Sequence, residues 1–249
     1  MDWVKWHQLY ETEPSRIVRL KLVDQHLSNC MHDIPAGTFK AVSICAGDGR
    51  DIIGALSGHS RRNDARVRLV EIDQNLVEAG REAAGSAGLA EQVEFLLGDA
   101  TMTSAYSGMA PADLVVACGV FGNVREQQLS QLVSHLPQLC QAGAYVVWTH
   151  YLSRTGMRRI ELIRGFLRAA GFIERQMDFS DQAGHLVATH HYEGRGLPLV
   201  DNSRMFEFKD PRKLDILRYR ILRKLDKKLR LGFFSKERRY GKDNPKIFH

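Results

Sequence analysis

Two glycines one residue apart, Gly47 and Gly49, close the apolar run in VSICAGDGRDI, residues 42–52. Glycine lets a chain turn sharply and approach a ligand without a Cβ clash. The helical pattern that follows offers its N-terminus to negative charge. By itself such a turn is as common in a plain α/β core as in a binding site. Glu71 adds to it. It ends the next apolar run, RLVE, at the spacing where a nucleotide-binding turn places an acid for ribose hydroxyls. Asp99, in LLGDA, ends a third such run and could accept from an exocyclic amine, or cap a turn. A dinucleotide turn wants a third glycine three residues after the second, and that position is Ile52. A phosphate-cradling loop would continue as GKS or GKT, which is absent. The turn is poorly built for a pyrophosphate.

The elements that must position these residues alternate. KAVSICA, ARVRLVEID, QVEFLLGDA, ADLVVACGVFGN and AYVVWTHY read as strands, with helical patterns between them and after the last. GHLVATHHYEG reads as a late strand. The alternation predicts a mostly parallel sheet covered on both faces. Residues 3–31 read as a helix, and Pro35 and Gly37 break it. The expected divisions are an N-terminal helical cover at 1–33, a binding domain at 34–200 and a basic extension at 201–249.

In that order, VSICAGDGRD, VRLVEID, VEFLLGDA, ADLVVACGVFGNV and LPQLCQAGAYVVW resemble the class I S-adenosylmethionine-dependent methyltransferases. CAGDGRD with GVFGN looks like a bacterial methyltransferase subgroup. The resemblance implies a Rossmann-like, seven-stranded-type α/β fold with S-adenosylmethionine as cofactor. It places Cys45, Ala46, Gly47 and Gly49 beside the methionine moiety. It puts Glu71, followed by Ile72, on the ribose and Asp99 with Ala100 at the adenine amine. Cys118 and Gly119, leading to Asn123, face the sulfonium and the substrate. The chain departs from the family at Ser43 and Cys45, where an acid and a glycine usually stand. Asp51 could supply charge nearby or cap the following helix. Tyr10 and Arg16, in the N-terminal cover, are candidates for the methionine end; Trp3, Trp6 and Tyr10 read equally well as core anchors.

Methyl transfer from a sulfonium is an in-line displacement, served by proximity, orientation and exclusion of water. A base is needed only where the nucleophile must lose a proton. His150 and Tyr151, at the end of the fifth strand, are the candidates, with His7 another. Asn123 is placed to position the acceptor. His190 and His191 are adjacent in a strand and point to opposite faces, so they do not act as a pair.

The charge is uneven. Between residues 209 and 242 fourteen Lys or Arg stand against four acids, while the rest of the chain is mildly acidic. Leu214, Leu217, Ile221, Leu225 and Leu229 form one apolar stripe in that tail. It fits a docked helix, a helix on an anionic membrane surface, or, ranked last, a nucleic-acid contact. The acceptor is expected to be a small molecule or lipid-like. An RNA or protein methyltransferase docking through the tail, and a non-catalytic cofactor-binding protein, are the alternatives. Four scattered cysteines, no CxxC and no secretion signal point to free thiols and a cytoplasmic protein, peripheral to a membrane if the tail binds lipid.

Overall fold

The computed structural model describes residues 13–209. Tyr10, His7, Trp3, Trp6 and the basic tail lie outside the described residues. Helix α1 (Pro14–Asp33) starts on a proline, whose missing N–H costs nothing in a first turn. Then follow β1 (Phe39–Ile44), α2 (Arg50–Ser57), β2 (Ala65–Glu71), α3 (Gln74–Ser86) and β3 (Val93–Leu97). The second half contains β4 (Ala112–Ala117), α4 (Leu129–Leu139), β5 (Cys140–Tyr151), α5 (Arg154–Ala169), β6 (Phe172–Ser180) and β7 (His185–Tyr192).

The seven strands form one sheet in the order β3-β2-β1-β4-β5-β7-β6, with β7 alone running against the others. The strand side chains alternate between two cores. Val23, Leu27 and Met31 of α1 pack with Ile52 and Leu56 of α2 and Val77 of α3 on one face, against Ala41, Leu114, Val116 and Val147. Leu132 and Leu136 of α4 and Ile160 and Ile163 of α5 cover the other, against Val42, Val115, Val146 and Trp148. Seven strands, mostly parallel, with helices on both faces is the architecture the sequence predicts.

Three boundaries differ from expectation. The strand β6 was not foreseen; it is an edge strand with mostly exposed or half-buried residues, so its apolar signal is thin. Helix α4 ends at Leu139, with Pro137 removing a donor in its last turn, and β5 starts at once on Cys140, before the expected AYVVWTHY. Residues 203–208 make a strap across the loops that follow β3 and β4. Met205 donates its N–H to the Thr101 carbonyl, and Thr103 donates to the Ser203 carbonyl. Met205 and Phe206 are fully buried.

A polar latch joins α1 to the far edge of the sheet. Fully buried His26 lies 2.8 Å from Thr189 Oγ1 through Nδ1 and 2.9 Å from Asp178 Oδ2 through Nε2. Burial pulls its pKa down, and Asp178 opposes that shift. Asn29 donates to Gln176 alongside. These contacts fix α1 across the sheet end where β1, β4 and β5 deliver their last residues.

Candidate functional site

Between β1 and β4 the strand order reverses, which in an open α/β sheet opens a crevice at the carboxyl ends. The loop from β1 enters through Cys45 at φ 55°, then Gly47 at 61° and Gly49 at 72°. Cys45 occupies a left-handed conformation that glycine adopts at no steric cost, which explains why glycine is usual at that position. At Gly49 a Cβ would come within 2.5 Å of Leu69 and 2.8 Å of Phe95. Gly80 on α3 is a second forced glycine, with Phe95 at 2.2 Å and the Asp48 carbonyl oxygen at 2.8 Å from a Cβ. The sequence signalled Gly49 but not Gly80.

Glu71, 8% exposed, is the centre of the crevice floor. Its Oε2 accepts the Gly47 N–H at 2.8 Å, and its Oε1 accepts those of Ile72 and Asp73 at 2.9 and 3.0 Å. An ionised carboxylate has about four acceptor positions, so one, on Oε2, stays open for a hydroxyl. Glu71 thus both locks the glycine loop and faces the crevice. Ile72 beside it is 70% exposed, a bare apolar surface suited to a ring face. Asp73 caps α3 through the Asn75 and Leu76 N–H groups.

Asp99 accepts both the N–H and the hydroxyl of Thr101 on Oδ1, at 2.9 and 2.7 Å. Its Oδ2 stands 3.7 Å from Arg204 Nη1. Ala100 is buried, and its carbonyl accepts from Tyr106 Oη. The charges of Glu71 and Asp99 both reach Cys45, whose thiol burial pushes well above its usual pKa.

The loop after β4 is braced from several sides. Gly119 donates its N–H to Thr149 Oγ1, and its carbonyl accepts from Asn123 Nδ2 at 2.7 Å. Phe121 is fully buried against Trp148, with ring centroids 5.3 Å apart. Arg159 of α5 donates to the carbonyls of Phe121 and Val124. Asn123 therefore spends one N–H of its amide on holding the loop, and Oδ1 and the second N–H remain for a substrate. Arg159 had no sequence signal, since its targets are backbone atoms 35 and 38 residues away.

Cys118 follows β4 directly. Its thiol is pushed up by burial first and by the charge of Asp51 second. Asp51 makes no capping bond at α2; it faces Arg19 at 3.6 Å. Arg19 is 4% exposed. A buried cation and a carboxylate therefore stand together beside the start of α2. Arg16 donates to Glu13 and sends its field toward His185.

At the end of β5, His150 is buried and its Nδ1 lies 3.0 Å from the Tyr151 carbonyl. A carbonyl only accepts, so Nδ1 carries a proton, and in the neutral ring Nε2 carries the lone pair. Tyr151 is 51% exposed and its ring lies 4.1 Å from that of His185. Burial pulls the His185 pKa down to about 4, so it is neutral near pH 7. His190 is likewise pulled down to about 4 by burial and accepts from the Trp148 indole at 3.2 Å. His191 lies on the other face of the sheet, against Tyr145. A separate hollow of about 570 Å³ opens at the opposite ends of β2 and β3, beside Arg66, Arg81 and Glu94, and shares only Phe95 with the site residues named above.

Among solved structures, a magnesium protoporphyrin IX methyltransferase from Synechocystis PCC 6803 with bound SAM superposes at a TM-score of 0.59 and 17% identity. The match covers 76% of this chain and 90% of that one. An O-methyltransferase family protein from Burkholderia thailandensis superposes at 0.57 and 12% identity, over 74% of this chain and 58% of that one. At these identities the likeness establishes the fold. No curated protein matches in sequence. The family described as "Putative methyltransferase" matches residues 15–164, which span the glycine loop, both acids and the ends of β4 and β5. The chain belongs to that methyltransferase family.

Proposed function

We propose that the protein transfers a methyl group from S-adenosylmethionine to a small or lipid-like acceptor. The carrying observation is Glu71, which accepts three backbone N–H groups, one of them from Gly47 of the glycine loop, and keeps one acceptor position open. In this reading that position takes a ribose hydroxyl. Ile72 lies along the adenine face, and Asp99 beside Ala100 accepts the adenine amine. Cys45, Ala46, Gly47 and Gly49 give the methionine moiety a close backbone surface. Arg19 complements its carboxylate, Asp51 complements its ammonium, and Arg16 adds positive charge at the same end. Cys118 and Gly119 wall the methyl-bearing end.

The bound cofactor supplies an electrophilic methyl on a sulfonium. The chain's own residues orient the acceptor and exclude water. Asn123 Oδ1 offers an acceptor for a substrate hydroxyl or amine. His150, with its lone pair on Nε2, can take a proton from a nucleophile that must lose one. Tyr151, Met157 and Phe179, 51%, 40% and 52% exposed, ring this end of the sheet with apolar surface. That surface supports an apolar acceptor rather than a polymer backbone. A membrane contact through residues 209–242 would suit a lipid-like substrate.

The test is incubation of the purified protein with methyl-labelled S-adenosylmethionine and fractionated extracts. Label entering the small-molecule or lipid fraction supports the reading. Label only in RNA or protein overturns the acceptor class, and none in any fraction overturns the catalytic role.

A further inference from the structure

We infer that Arg204, on the strap, is a second determinant of adenine recognition, acting as a donor beside the acceptor Asp99. The inference rests on the cofactor reading above and extends it to a residue distant in sequence from every motif.

The strap is fixed in register on both sides of Arg204. Ser203 N–H donates to Thr103 Oγ1 at 2.8 Å, and Met205 N–H donates to the Thr101 carbonyl at 2.8 Å. The Arg204 carbonyl accepts from Gln131 Nε2, and Glu207 N–H donates to Gln128 Oε1. With both its neighbours held, the Arg204 side chain emerges at a defined place beside the loop after β3. Nη1 donates to Thr101 Oγ1 at 3.1 Å, and that hydroxyl donates in turn to Asp99 Oδ1 at 2.7 Å. Oδ1 is thereby saturated by Thr101, and Oδ2 is the oxygen left for a ligand.

The distance from Nη1 to Oδ2 decides what Arg204 does to that oxygen. At 3.7 Å it is an ion pair and too long for a hydrogen bond. The guanidinium therefore stands beside the carboxylate without consuming the lone pairs of Oδ2. Within the described residues the Nε and Nη2 hydrogens of Arg204 make no hydrogen bond. The site thus presents an acceptor, Oδ2, beside unspent planar donors. Adenine carries the matching order along its edge, an amine donor next to a ring-nitrogen acceptor. Hypoxanthine carries the reverse, a carbonyl acceptor next to an N–H donor. A site hydrogen-bonded to one pattern rejects the other because the groups that the ligand covers are then left unpaired. Arg204 is 51% exposed at its side chain, so removing it does not open the core.

The experiment is calorimetric titration of the full chain with S-adenosylhomocysteine and with S-inosylhomocysteine, which differ only in replacing the amine and its neighbouring ring-nitrogen acceptor by a carbonyl and an N–H. Wild type, Arg204→Met, Asp99→Asn and the double variant are compared, with a thermal melt of each. Arg204→Met is expected to weaken S-adenosylhomocysteine binding about tenfold, the scale of one charge-assisted hydrogen bond. It is also expected to shrink the adenine-over-hypoxanthine ratio, and the double variant to be no worse than the weaker single one. A loosened strap would weaken both ligands equally and leave the ratio unchanged, and that result overturns the inference. So does an Arg204→Met variant that binds like wild type. Wild type that binds neither ligand overturns the cofactor reading itself, and the inference with it.

Discussion

Asp24 of α1 sits where two helices close on each other, and its titration should be visible in the stability of the whole protein. Its Oδ1 is buried with no hydrogen-bond partner, 3.4 Å from the place a Cβ on Gly54 of α2 would occupy. Burial first, and the charge of Asp51 second, push its pKa from 3.8 up to about 7. The native protein therefore holds this proton more tightly than the unfolded chain does. The stability it contributes is complete below about pH 4 and is lost as pH rises through about 7. Three pH units would correspond to about 4 kcal/mol. Asp24 is only a little over half buried, and solvent screening reduces the figure to roughly 1–2 kcal/mol. Asp24→Asn removes the charge, keeps the shape and adds a donor facing Asp51. Its melting temperature should exceed that of wild type by about 4 °C at pH 8, from roughly 2–4 °C per kcal/mol in a chain of this size. The advantage should shrink steadily between pH 7 and pH 5. Differential scanning calorimetry across that range measures it directly. A constant difference at every pH, or a less stable variant at pH 8, would refute the argument that ionisation of Asp24 is resisted in the folded state.

Other residues give sharper local tests. Glu71→Ala leaves the N–H groups of Gly47, Ile72 and Asp73 without their acceptor; S-adenosylmethionine affinity should fall at least about tenfold, and unchanged calorimetric affinity would contradict its role. Gly80→Ala drives a methyl into Phe95 and the Asp48 carbonyl, so urea unfolding should show a loss of about 1–3 kcal/mol, with weaker cofactor binding through the displaced loop. His26→Ala removes the partner of buried Thr189 and should cost about 2 kcal/mol; an unaltered urea midpoint would mean the latch contributes nothing.

The parts of the molecule legible in the sequence are those whose signals are local. The alternation of strands and helices located β1 through β5 because each inward-facing run is continuous and apolar. Gly47, Gly49, Glu71 and Asp99 were legible because each stands directly after such a run, at the end that opens into the crevice. What escaped notice depends on contacts between distant residues. Strand β6 is paired only with β7 and buries little, so neither period nor composition marks it. Arg159 secures the loop after β4 from another helix, and Arg204 reaches Asp99 across 105 residues of sequence. Asp51 reads as a helix-starting acid, yet it is Arg19 and Cys118 that decide where its carboxylate points. Asn123 was placed correctly in its loop, but that loop draws its amide inward to Gly119.

The most direct measurement is calorimetric titration of nucleotide-stripped protein with S-adenosylmethionine and, separately, with NAD. The glycine loop, Glu71 and Asp99 predict micromolar binding of S-adenosylmethionine and none of NAD. Binding of NAD alone would show that the crevice accepts a pyrophosphate despite Ile52, and the account of this site as a methyl-donor pocket would be contradicted.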